Sequence, residues 1–142
     1  LLAAVGRGQL EVLDERVAKR NFIFNRYEKA LSHVDGLNFM EEANYGKSNR
    51  WLTALTVDKE VVGISRSQII DFLGKEGIES RPVWKPMHMQ PLYKRFEYCK
   101  SGRQDISGEL FENGLCLPSG SNLSEQDQNR IIDIILSLVN KK

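Results

Sequence analysis

The sequence predicts an α+β layer, a small mixed or antiparallel sheet with helices packed on one face. Three observations predict it. The stretch from Leu1 to Val34 contains no proline, and Leu10, Leu13, Val17, Phe24, Tyr27, Leu31 and Val34 recur at intervals of three, four or seven, as on one face of an amphipathic helix. Short apolar runs further on are joined by connections of hairpin and mixed length. The chain closes on Ile131, Ile134, Ile135, Leu138 and Val139, again at helical spacing.

The elements follow in order. Gly6 and Gly8 weaken the first turns, and Asp14-Glu15 suits a fresh helix start, so a break near Leu13 is expected. Asp35-Gly36 stops the helical run. Leu37 to Met40 reads as a short strand, Glu41 to Asn49 as a mobile loop, and Trp51 to Val57 as a β-branched and aromatic strand ending at Asp58. Ser65-Arg-Ser-Gln68 is a capping box, in which the hydroxyl takes the Gln68 amide proton while the Gln68 side chain reaches back. It opens a helix over Ile69, Ile70, Phe72 and Leu73 that stops near Gly77. Ile78 to Val83 is extended, Ser107 to Asn113 helical, and Leu115-Cys116-Leu117 a short buried strand closed by Pro118-Ser119-Gly120. Ser124 caps the last helix, with Asp127 three residues on.

Composition narrows the function classes. The 142 residues, 41% hydrophobic and 27% charged, carry a formal net charge of +1, ordinary for one soluble domain. That balance argues against nucleic acid, for which only the scattered Lys85, Lys94, Arg95, Lys100 and Arg103 would speak. No apolar run is long enough to span a membrane, and no stretch of these residues reads as a signal peptide. Cys99 and Cys116 form no C-x-x-C pair, so they read as reduced thiols in a cytosolic protein. Nucleophile elbows, zinc spacings and a G-x-x-x-x-G-K-[ST] loop are all missing, and Gly6-Arg-Gly8 only faintly echoes a phosphate loop. The bare Leu1-Leu2 start, without an N-cap residue, is expected of a chain cut from something longer.

Chemistry concentrates in Glu79 to Tyr93. Pro82, Pro86 and Pro91 exclude a helix or a central strand there, yet Arg81, Trp84, Lys85, His88 and Gln90 crowd into the segment. Two readings stand. In one, Trp84 and Tyr93 are core anchors, Arg81 caps a helix C-terminus and His88 is a satisfied buried imidazole. In the other, the Trp84 face receives a sugar or pyrimidine ring, and Arg81, Lys85 or His88 neutralises a phosphate or diphosphate.

Gly77 to Tyr93 resembles a loop of the type G-I-x-[ST]-R-P-x-[WFY]-x-P-[ML]-H-x-Q-P-x-[YF] that lines the sugar site in the DegT/DnrJ/EryC1/StrS family of nucleotide-sugar aminotransferases. Four further segments are similar in the right order. Leu1 to Asp14 looks like the family's stretch after its Asn-Tyr-Arg-x-Ser-Asn segment, and Arg16 to Leu31 like its long helix between domains. Asn49 to Thr53 resembles the strand after the mobile loop, and Leu115 to Ser119 with Leu123 to Asp127 the C-terminal signature.

The resemblance implies the C-terminal part of a fold type I enzyme: residues 1–34 as an inter-domain helix region, 35–142 as the small domain, and a pyridoxal phosphate-binding large domain outside this chain. It implies a cytoplasmic homodimer moving an amino group, usually from glutamate, to a keto carbon of a nucleotide-linked deoxy sugar for surface polysaccharide or glycan synthesis. The lysine that bonds pyridoxal phosphate lies upstream of Leu1 in the family, so no catalytic residue is assigned here. Substrate binding maps to Arg81, Val83, Trp84, Lys85, Pro86 and His88, with Arg50 and Trp51 as weaker candidates. The Trp84-Lys85 pair is similar to the branch acting on UDP-linked 4-keto sugars. A free-standing small-molecule-binding or dimerisation module is the alternative.

Overall fold

The computed structural model describes residues 1–100 and 102–139. Two helices open the chain, α1 (Leu2–Glu11) and α2 (Leu13–Leu31). The break falls at Val12, whose φ of −112° and ψ of 6° leave the helical basin. Asp14 and Glu15 occupy the first turn of α2, where carboxylates complement the helix dipole. Gly36, at a φ of +88°, turns the chain into β1 (Leu37–Phe39). A Cβ on Gly36 would meet Val62 Cγ2 at 2.8 Å, so both conformation and space call for glycine.

β2 (Thr53–Val57) begins two residues later than the sequence predicts, because Trp51 and Leu52 lie in a bend. A helical turn not read from sequence follows, α3 (Lys59–Val62). Asp58 caps it by accepting from Glu60 N and Val61 N, and Gly63 ends it at a φ of +87°. α4 (Arg66–Lys75) starts on the expected capping box, with Ser65 Oγ accepting from Gln68 N at 3.3 Å and Gln68 Oε1 accepting from Ser65 N at 2.8 Å. Of the extended run after Gly77, only β3 (Arg81–Pro82) pairs in the sheet. The remaining elements are α5 (Ile106–Asn113), β4 (Gly114–Leu117) and α6 (Glu125–Val139).

The sheet is antiparallel throughout, in the order β1-β2-β4-β3. Pro82 sits on the edge strand, where a missing N–H leaves no rung unmade. Alternation sorts β2: Leu55 and Val57 enter the core with Leu115 and Leu117 of β4, while Ala54 and Thr56 face the other way. Tyr27 and Leu31 of α2, Ile69 and Leu73 of α4, and Ile131 and Ile135 of α6 close the core over the first face. Truncating a fully buried side chain such as Leu73 to alanine costs about 2–5 kcal/mol. The phenol of Tyr27 is buried and donates to the Pro118 carbonyl at 3.1 Å, and burial pushes its pKa up. The α+β layer expected from the sequence is therefore what forms, and α5 adds a short cover on the opposite face.

α1 buries no residue. Leu1, Leu2, Val5 and Phe22 are 104%, 87%, 57% and 51% exposed, an apolar face of α1 and α2 that this chain leaves uncovered.

Candidate functional site

The proline segment runs from the sheet edge onto the face opposite the helical core. Val83 N–H donates to the Gly114 carbonyl at 3.2 Å, adding a rung beyond β3. Pro86 leads into a single 3-10 turn (Met87–Met89), and Gln90 Nε2 donates back to the Lys85 carbonyl at 3.2 Å. The fixed φ of three prolines leaves this loop little shape to lose when a ligand binds.

Beneath it lies a cavity of about 710 Å³, within the range of small-molecule sites. Its floor is Ala54, Thr56 and Gly114. One wall is Val83 to Met87, and the other is Leu110 and Phe111 of α5. Gly114 is what lets these parts meet: a Cβ there would lie 2.3 Å from the Leu110 carbonyl oxygen and 2.6 Å from Val83 Cγ2. The lining is mostly carbon, suited to a ring face rather than to free phosphate.

Trp84 is 66% exposed, so it is not a core anchor. Its indole stacks on that of Trp51, with centroids 5.6 Å apart and planes 27° from parallel. Lys85 is exposed, its Nζ 5.9 Å from the Phe111 ring centroid. Tyr93 is half-buried and lies against Phe96.

His88 does not line the cavity. Its ring lies flat on Tyr98, with centroids 3.7 Å apart at 6°, and Nε2 is 2.9 Å from Asp105 Oδ2. Asp105 caps α5 through Gly108 N at 3.0 Å and also accepts from Tyr98 and Ser107. The Gly108 amide, helped by the Tyr98, His88 and Ser107 groups, holds the Asp105 carboxyl down at about 2. The imidazole thus ties the proline loop to the start of α5, which suits the satisfied-imidazole reading better than direct ligand contact.

Arg81 is exposed and pairs with Glu79, its Nε donating at 2.8 Å, so it caps no helix. It borders a second cleft of about 670 Å³, shared with Arg20, Trp51, Ser119, Asn122 and Arg130. Ser80 Oγ, also on this cleft, is buried without a hydrogen-bond partner. Val83, Trp84, Lys85 and Pro86 therefore share one cavity, Arg81 borders another, and His88 lies in a network beside the first.

Sequence reasoning missed the floor and the α5 wall, since both come from distant parts of the chain. A signal existed in β2, where small Ala54 and Thr56 alternate with Leu55 and Val57, leaving one sheet face low enough to roof over. Among the described residues no group of three or more His, Cys, Asp or Glu side chains could hold a metal ion, and no helix is long and apolar enough to cross a membrane.

The family model of the DegT/DnrJ/EryC1/StrS aminotransferases matches residues 1–136. EpsN of Bacillus subtilis, whose name describes a pyridoxal phosphate-dependent aminotransferase, is 50% identical over 139 residues, covering 97% of this chain and 35% of that protein. GDP-perosamine synthase of Caulobacter vibrioides is 33% identical over 131 residues, 92% of this chain and 34% of that one. The crystal structure of a DegT DnrJ EryC1 StrS aminotransferase from Brucella abortus superposes with a TM-score of 0.78 at 28% identity, covering 94% of this chain and 34% of that chain. The chain spans about a third of the length of the proteins it matches.

Proposed function

Because the chain belongs to the DegT/DnrJ/EryC1/StrS aminotransferase family, we propose that it is the substrate-binding C-terminal part of a pyridoxal phosphate-dependent sugar aminotransferase. The complete enzyme transfers an amino group from glutamate to a keto carbon of a nucleotide-linked deoxy sugar, in surface polysaccharide or glycan synthesis. It works as a cytoplasmic homodimer. Residues 1–34 link the two domains, and the exposed apolar face of α1 and α2 rests on the cofactor-binding domain.

The observation that carries this reading is the apolar cavity walled by the proline loop, with the Trp84 indole exposed at its edge. In the proposal the sugar or base ring packs on Trp84, and Lys85 meets its charged or hydroxyl groups. Arg81, across the indole pair, faces the more polar end of the ligand, and His88 keeps the loop in place.

The residues here do not fit pyridoxal phosphate itself. Lys85 lines a cavity whose surface is mostly carbon, a poor host for the charged phosphate of the cofactor. The cofactor's attachment and its phosphate contacts belong to the rest of the enzyme.

Trp84→Ala in the full-length enzyme tests the reading. Loss of a ring contact worth about 1–3 kcal/mol raises the KM for the nucleotide sugar roughly 5- to 150-fold. The visible absorbance of bound cofactor persists, because its contacts lie elsewhere. If Trp84→Ala unfolds the protein while substrate affinity per folded molecule is unchanged, Trp84 is a packing residue and the cavity is not the sugar site.

A further inference from the structure

We propose that Trp51 is a positioning residue for the ligand: it backs the Trp84 indole, fixes which way that indole faces, and sits on a segment built rigid for this task. The proposal rests on the reading that Trp84 contacts the nucleotide sugar.

Trp51 is 57% exposed, and nothing about its burial requires a fixed place. Its backbone is nevertheless held on every side. Arg50 adopts a φ of +45°, the only positive value of a non-glycine residue among those described, and a conformation such residues hold only when their surroundings impose it. The Arg50 guanidinium lies 3.7 Å from the ring centroid of buried Phe24 and donates to the Met40 carbonyl at 2.7 Å, while Arg50 N–H donates to Ser48 Oγ at 3.1 Å. Trp51 N–H donates to Asn49 Oδ1 at 3.2 Å. The Trp51 carbonyl accepts from both Arg20 of α2 and Ser119 Oγ, the latter at 3.3 Å, and Arg20 also donates to the Ser119 carbonyl.

What this clamp presents is one indole against another. Trp84 lines the apolar cavity and Trp51 lines the second cleft, so the stacked pair is the partition between them. Trp51 takes one face of Trp84 and leaves the other for a planar base or a pyranose ring. Without the backing ring, Trp84 is free to turn on χ1 into the vacated space and the ligand loses its wall. The strained segment Asn49 to Trp51 is thereby a specificity device, reaching the ligand only through Trp84.

The test compares Trp51→Ala, Trp84→Ala and the double variant in the full-length enzyme, reading KM for the nucleotide sugar, kcat, and the exciton circular-dichroism signal of stacked indoles. Trp51→Ala is expected to abolish the exciton signal and raise KM about 2- to 13-fold, the worth of one aromatic pair, with kcat unchanged. The double variant is expected to be no worse than Trp84→Ala alone, as coupled residues require. Ser119→Ala, which loosens the carbonyl clamp and leaves the ring, weakens the exciton signal and raises KM by a smaller factor. Should Trp51→Ala not fold, Trp51→Leu keeps bulk without a π face and takes its place. A lost exciton signal with unchanged KM overturns the proposal, and leaves the sugar-site reading standing if Trp84→Ala still raises KM. If neither variant moves KM, both fall.

Discussion

Asp105 accepts from Tyr98, Ser107 and the Gly108 amide, while His88 Nε2 approaches its other oxygen to 2.9 Å. All these bonds favour the ionised carboxyl, which explains a pKa of about 2, below the ordinary carboxylate range. The sign follows from linkage. A group whose pKa is depressed by folding contributes stability that is fully present above its unfolded value and disappears as pH falls through the folded one. Thermal melts of the wild type and Asp105→Asn from pH 7 down to pH 2 should therefore differ most above about pH 5 and converge near pH 2. A gap that stays constant over that range would show that the charge is irrelevant and only the cap shape matters. This network was illegible in the sequence: His88 was conspicuous beside three prolines, but its partner lies 17 positions away.

At the scale of elements, what could be read were features whose cause is local. The capping box at Ser65, the period of α2 and α6 and the prolines that confine β3 to an edge each act over a few residues, and each lies where the sequence predicts. α3 escaped because its four residues carry no period, although Asp58, read only as the end of a strand, is its cap. The cavity escaped for a different reason, since it exists only where α5, β4 and the proline loop converge. Gly114 is the residue on which that convergence depends. Gly114→Ala should force Leu110 and Val83 apart, lowering stability by about 1–3 kcal/mol, the usual cost of overpacking, and narrowing the site. Thermal or denaturant unfolding checks the first part, and a KM for the nucleotide sugar that rises more than kcat falls checks the second. Wild-type stability in the alanine variant would mean that the α5–β4 contact yields freely.

The whole molecule combines a well-filled core, an open site face and a bare N-terminal helix. That combination suits a part which binds and orients a substrate while the covalent chemistry happens on residues elsewhere. The lysines support the division. Those on the helices are solvated, as with Lys19 paired to Glu15 at 2.9 Å across one turn, and Lys85 borders the apolar cavity with its ammonium beside Phe111. A lysine serving as a covalent anchor needs a cofactor held in register with it. The 142-residue chain incubated with pyridoxal phosphate, reduced with borohydride and weighed intact should therefore carry no single stoichiometric adduct, and should transaminate no sugar. Scattered partial labelling of surface lysines would leave this expectation intact. One full equivalent on one lysine, Lys85 above all, would mean that the chain holds the cofactor by itself, and the division of labour proposed for the enzyme would have to be redrawn around the apolar cavity.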